Sequence, residues 1–205
     1  MPAGVVVAAS TMPADAAAPA LVIGEEAAVA RAVVKRRREY AFGRACARDA
    51  LARLGVAHAG PILGGAGGAP QWPARVVGSI THCELGAAAA VAYAADRGGL
   101  GIDLESRARA GAVDLMTLAA TATERVRHAA LAGGVPVGAL LFSAKESVYK
   151  CLYPRGGTFL DFGDVELALA ADGTFTVLAA TGYDVTAVRG RFAVTPELVA
   201  TVAFY

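Results

Sequence analysis

Two short segments of this chain carry residue types suited to a charged substrate. Gly101-Ile-Asp-Leu-Glu105 sets two carboxylates two residues apart, and Phe142-Ser-Ala-Lys-Glu-Ser-Val-Tyr-Lys150 sets a glutamate between two lysines. On an extended strand alternate residues share a face, so Asp103 and Glu105 point together while Ile102 and Leu104 turn the other way. On a helix Glu146 and Lys150, four apart, share a face. Carboxylates of this kind suit magnesium, which usually keeps several waters and completes its shell with substrate phosphate. Each segment also has a plainer reading. Asp-x-Glu describes two solvated acids at a strand end, and Glu146 has capping-box spacing from Ser143.

Other residues could meet phosphate. In Ser79-Ile-Thr-His-Cys83 the hydroxyls of Ser79 and Thr81 and the ring N–H of His82 are donors. Arg36 and Arg44 lie eight residues apart, two helical turns, and arginine takes phosphate bidentately. Equally, Lys35-Arg-Arg-Arg38 describes a solvated helix face with Glu39 as its partner, and a lone histidine is commonly structural. His82 and Cys83 are adjacent on a strand and face apart, which argues against a Cys/His nucleophile.

These side chains need elements to hold them. A strand is expected at Val5–Ala9. Apolar residues at helical spacing predict one helix, or two broken at Gly43, between Glu25 and Leu54, with Gly55 as the stop. A Gly/Pro-rich loop spans Pro61–Pro73. Val76–Ile80 reads as a strand, Leu85–Ala95 as a strand or short buried helix, and Leu100–Glu105 as a strand. Asp96-Arg-Gly-Gly99 looks like a turn that joins the last two in a hairpin. Asp114–Ala132 reads as largely helical, with capping-box spacing at Thr121-Ala-Thr-Glu124. Gly133–Pro136 interrupts it, and a helix over Ser143–Leu152 is expected to end at Pro154. Strands are predicted at Phe159–Leu169, Phe175–Ala180, Tyr183–Val188 and Leu198–Phe204. The pattern suggests an α+β fold of two loosely similar halves, each with helices on an antiparallel sheet.

The 205 residues suffice for a sizeable core, and 56% hydrophobic with 18% charged residues excludes a disordered chain. A net charge of +1 and the lack of a second basic stripe argue against nucleic acid. Leu85–Ala95 is too short to span a bilayer. Three scattered cysteines fit reduced thiols, and the N-terminus lacks a basic leader, so a cytoplasmic protein is expected.

Together the segments resemble the 4'-phosphopantetheinyl transferase superfamily, of the Sfp/EntD-like type. The likeness spans most of the chain: Arg36-Arg-Arg-Glu-Tyr-Ala-Phe-Gly-Arg-Ala-Cys-Ala-Arg48, Gly68-Ala-Pro-Gln-Trp-Pro73, Gly78-Ser-Ile-Thr-His82 and the two segments above. It implies pseudo-twofold duplicated α/β halves, 1–107 and 108–205, with the active site between them in a monomer. It implies transfer of the 4'-phosphopantetheine arm of coenzyme A to a serine of an acyl or peptidyl carrier protein, releasing adenosine 3',5'-bisphosphate. Magnesium, with manganese as a substitute, is implied at Asp103, Glu105 and Glu146. Glu146 is the implied general base and Lys150 the diphosphate contact. Arg36, Arg44, His82, Ser79 and Thr81 are implied at the 3'-phosphoadenosine end, and Lys145 is expected to face the phosphates or the carrier. Trp72 is either a core plug or a lid over the adenine. A family member that only binds would be expected to lack one of the three carboxylates, and all are present here.

Two departures from the family pattern stand out. Leu63-Gly-Gly-Ala-Gly-Gly68 lacks a basic residue common there, and Arg75 stands where glycine is common. Arg75 is expected to compensate in part. Arg125 and Arg127 are expected to steer an acidic carrier, whose pathway (fatty acid, polyketide, nonribosomal peptide or siderophore) the sequence leaves open.

Overall fold

The structure is a computed structural model describing residues 1–108, 113–131 and 136–205. Residue 132, where a helix end was expected, and most of the Gly133–Pro136 interruption lie outside them. The chain forms two compact units, Pro2–Gly98 and Gly99–Tyr205 with Met1 counted in the second. The Leu100–Ser106 strand, placed by the sequence reading before a boundary at 107, belongs to the second unit.

In the first unit β1 (Val6–Thr11), β2 (Val76–Cys83) and β3 (Gly86–Tyr93) form an antiparallel sheet ordered β1-β3-β2. The short α1 (Glu25–Ala28) precedes α2 (Val34–Arg53), which runs unbroken through Gly43. A Cβ on Gly43 would sit 2.8 Å from Ile80 Cγ2, so this glycine permits helix–sheet contact and marks no break. Phe42, Cys46, Ala47, Ala50 and Leu51 of α2 pack on Ala8, Ala87, Ala89 and Val91 of the sheet. Gly55 ends the helix as predicted: at φ +84° its N–H donates to Ala52 O, and Val56 N–H donates to Leu51 O.

In the second unit β4 (Leu100–Ser106), β5 (Val165–Leu169), β6 (Thr174–Ala180), β7 (Arg189–Val194) and β8 (Leu198–Phe204) form an antiparallel sheet ordered β4-β8-β7-β6-β5. The helices α3 (Leu115–Ala119), α4 (Ala122–Arg127) and α5 (Val137–Gly156) accompany it. Leu140, Leu141, Ala144, Val148 and Leu152 of α5 share a core with Val165, Leu167, Phe175, Val177 and Val199.

Several expectations need correction. The predicted hairpin between 85–95 and 100–105 does not form. β1 and β2 occupy both edges of β3, and β4 pairs with β8 instead. The predicted strand at 183–188 is mostly turn, with one bridge from Tyr183 to Ala180, and the strand lies at 189–194. The stretch 159–164 is not strand and holds a 3-10 turn at Phe162–Asp164. The stretch from 114, expected to be largely helical, holds two helices, α3 and α4, and the capping box of Thr121 with Glu124 does form at the start of α4. Finally, α5 starts six residues before Ser143 and runs two beyond Pro154, because a proline in the last turn removes only one helical N–H.

Candidate active site

The second unit gathers the acidic and basic groups of the two opening segments. Asp103, buried on β4, accepts a hydrogen bond at 2.6 Å from Lys150 Nζ of α5, which also donates to Ile102 O at 3.4 Å. Glu146 lies one turn before Lys150. Burial raises its carboxyl above the ordinary glutamate range, the Lys150 ammonium opposes this, and the negative Asp103 adds to it. Asp103, Glu146 and Lys150 therefore act on one another. Glu105 is half-buried on β4 opposite Val199.

The approach of β4 to α5 depends on Gly101. A Cβ there would collide with Ser147 O and lie 2.6 Å from Cys151 N. Ser143 is no cap: its hydroxyl lies 2.9 Å from Thr201 Oγ1, which donates to Ser143 O at 2.8 Å. Glu146 therefore sits well inside the helix, and the capping role weighed for it from sequence is ruled out.

Lys145 is corrected as well. It is buried, donating at 2.7 Å to both Glu124 Oε2 and Phe162 O, so its ammonium is committed inside the fold. Lys145, Glu146, Tyr149, Phe159 and Phe162 help line one depression. Sequence reasoning missed Phe159 and Phe162. The aromatic residues following Pro154 were the available signal.

The first unit gathers most of the proposed nucleotide contacts. His82 on β2 lies 2.7 Å from Arg36 Nη1 through Nε2, and 3.7 Å from Glu39 Oε2 through Nδ1. Arg44, two turns from Arg36, is buried. Its Nε donates to Ile62 O at 2.5 Å and its guanidinium stacks 4.1 Å from the Tyr40 ring centroid. Burial lowers the Arg44 pKa, Tyr40 and Glu25 oppose that, and the positive Arg36 adds to it. Arg36, Arg44 and His82 are thus brought together.

Ser79 and Thr81 are not. Ile80 meets Gly43 and His82 meets Arg36 on the helix side of β2, so alternation turns both hydroxyls to the other face, where both residues are buried. The basic run also divides. Arg37 and Arg38 fasten loop carbonyls at Ala30, Ala32, Pro13 and Ala16, while Lys35 and Arg36 lean toward Glu39. Trp72 donates to Gly78 O at 3.0 Å and packs on the core, the plug of its two readings.

Among the described residues no three His, Cys, Asp or Glu side chains form a group able to hold a metal ion by themselves. The mutually repelling Asp103 and Glu146 still fit one, since magnesium is commonly held by one or two carboxylates with substrate phosphate supplying other ligands. No helix of the described residues is long and apolar enough to cross a membrane.

The family model described as the 4'-phosphopantetheinyl transferase N-terminal domain matches residues 24–92, and that of the 4'-phosphopantetheinyl transferase superfamily matches 99–203. The chain is 50% identical over 160 residues to the 4'-phosphopantetheinyl transferase Svp of Streptomyces mobaraensis, covering 76% of this chain and 65% of that protein. It is 40% identical over 147 residues to the 4'-phosphopantetheinyl transferase Npt of Nocardia iowensis, covering 70% and 64%. With the 4'-phosphopantetheinyl transferase PptT of Mycobacterium tuberculosis it shares 34% over 186 residues, covering 84% and 81%. The chain thus spans a little under two thirds of the first two of these relatives. Matched over both halves, this chain belongs to the 4'-phosphopantetheinyl transferase superfamily.

Proposed function

We propose that this protein moves the 4'-phosphopantetheine group of coenzyme A onto a serine of an apo acyl or peptidyl carrier protein. The observation that carries the reading is the electrostatic coupling of Glu146 with Asp103 and Lys150 in a chain of this family. A serine hydroxyl is a weak nucleophile and must lose its proton as it attacks the β-phosphorus. Glu146 takes that proton, directly or through a water. Lys150 places its ammonium beside the diphosphate, where charge develops on the departing phosphate. Asp103 and Glu146 would hold magnesium, with substrate phosphate and water supplying the other ligands. Glu105, implied as the third ligand by the resemblance, does not form a three-carboxylate group with them among the described residues. When bound, that ion would supply positive charge to the diphosphate. Arg36, Arg44 and His82 take the 3'-phosphoadenosine end. Ser79 and Thr81 have a lesser part there, since their hydroxyls turn from His82.

The carrier meets the exposed side of α3 and α4, where Leu118, Arg125 and Val126 are open to solvent. Steering falls to Arg125 more than to Arg127, whose guanidinium donates to Glu166 at 2.7 Å. Arg125→Glu should slow carrier modification several-fold and leave coenzyme A affinity unchanged. Equal rates on wild type and variant would remove the steering role.

Intact-mass analysis of a panel of apo carrier proteins with coenzyme A and magnesium tests the reaction. A mass gain equal to one phosphopantetheine group is expected on at least one carrier. No gain on any of them, or full rate in Glu146→Ala, would contradict the proposal.

A further inference from the structure

We infer that the buried Glu124–Lys145 pair is a positioning device that sets the rotation of α5 about its axis, and so sets where Glu146 and Lys150 point. The inference rests on the proposed transfer reaction.

Glu124 and Lys145 are both essentially inaccessible to solvent. Glu124 Oε1 accepts from Leu167 N–H of β5 at 2.8 Å. Its Oε2 accepts from Thr121 N–H at 2.8 Å and from Lys145 Nζ at 2.7 Å. Lys145 adds a bond to Phe162 O in the turn before β5. Four segments therefore meet at one charge pair: the start of α4, the strand β5, the turn at Phe162 and the middle of α5.

Stability does not account for such a pair. Two desolvated charges cost more than apolar residues of similar shape, and replacing both is often neutral or stabilising. Geometry does account for it. Successive helical residues are about 100° apart, so fixing the direction of Lys145 fixes that of Glu146, its neighbour. A side chain reaches about 5–6 Å from the helix axis, so a turn of α5 by about 20° would carry the Glu146 carboxylate about 2 Å sideways. Displacements of that size are costly to catalysis, about a hundredfold for ~1 Å in favourable cases. The opposite side of α5 is held by the close approach of Gly101 to Ser147. That contact fixes how near β4 comes, and Lys145 fixes how the helix is turned.

The test uses the full chain with coenzyme A, magnesium and a carrier that the wild type modifies. A wild type that modifies none overturns the reaction itself, whereas the outcomes below concern the pair alone. Glu124→Gln leaves a buried ammonium without its counter-charge and should lower both Tm and kcat. The double variant Glu124→Gln/Lys145→Met removes both charges. It should regain the wild-type Tm while kcat stays about tenfold or more below wild type, with KM for coenzyme A within about twofold. Recovery of kcat together with Tm would make the pair structural and overturn the inference. Should the double variant fail to fold, Glu124→Asp keeps the charge and shortens the reach. It should lower kcat at unchanged KM while the protein remains folded at the assay temperature, and wild-type kcat in that variant would overturn the inference equally.

Discussion

At the scale of single residues, Glu146 is held at odds with stability. A folded-state pKa above the unfolded value means the folded chain binds the proton more readily than the unfolded one. The stabilising contribution of this carboxyl is then fully present below the unfolded pKa and lost as pH rises through the folded pKa. Glutamine has no such loss. In metal-free protein Glu146→Gln should therefore have a higher Tm than wild type at neutral pH, an advantage that fades as pH falls through the ordinary glutamate range. Calorimetry across pH in a chelating buffer measures this, and the same variant should lose transfer by about 10²-fold or more. Arg75 presents a second residue-scale conflict. Its φ of +67° lies in the left-handed region, which explains on steric grounds why a glycine would suit this position. Arg75→Gly should raise stability by about 1 kcal/mol, read as a shifted denaturation midpoint, whereas Arg75→Ala should not. If Arg75 also compensates for the uncharged 63–68 loop, Arg75→Ala will weaken coenzyme A binding. Unchanged affinity and rate would leave backbone strain as its one distinguishing feature.

At the scale of elements, the site depends on how closely β4 and α5 lie. Gly101→Ala places a methyl group against the Ser147 carbonyl and the Cys151 amide, backbone atoms that cannot rotate away. The strand must then shift, taking Asp103 from Lys150. We expect a loss of about 1–3 kcal/mol in stability with at least a tenfold fall in transfer rate. Wild-type kinetics for this variant would mean that the Asp103–Lys150 distance is not critical. Much of this arrangement was legible in the sequence. Alternation gave the faces of β4, helical spacing put Glu146 with Lys150, and the Gly55 stop followed from local chemistry. The misreadings share a cause. Ser143 looked like a helix start because a capping box is a local pattern, but its hydroxyl is taken by Thr201, far along the chain. Likewise Asp96-Arg-Gly-Gly99 looked like a hairpin turn, although β4 finds its partner in β8. Lys145 read as an ammonium facing the phosphates or the carrier because nothing in its own segment announces Glu124. Partners chosen by tertiary packing leave little trace in local spacing.

At the scale of the whole molecule, the division at Gly98–Gly99 supplies separate reporters of unfolding. Cys46 and Cys83 are buried in the first unit and Cys151 in the second, all reduced. Burial raises the Cys46 thiol above its ordinary pKa and pushes that of Cys151 up to about 12. Because the thiolate is the reactive form, burial and raised pKa together suppress alkylation until the surrounding core opens. In native buffer at neutral pH the two thiols should therefore resist iodoacetamide. Added denaturant should release Cys46 when the α2 core opens and Cys151 when the α5 core opens, with peptide mass analysis reporting each site. Coincident midpoints would mean that the units unfold together, and separated midpoints would assign each its own stability. Rapid labelling of Cys151 in native buffer would contradict the packing of α5 on its sheet. Because Cys151 lies one residue beyond Lys150, this thiol also reports the element that carries the proposed site. A ligand that binds the folded site should slow its labelling by mass action. Coenzyme A with magnesium is therefore expected to protect Cys151, and no protection at saturating coenzyme A would count against stabilisation of α5 by that ligand.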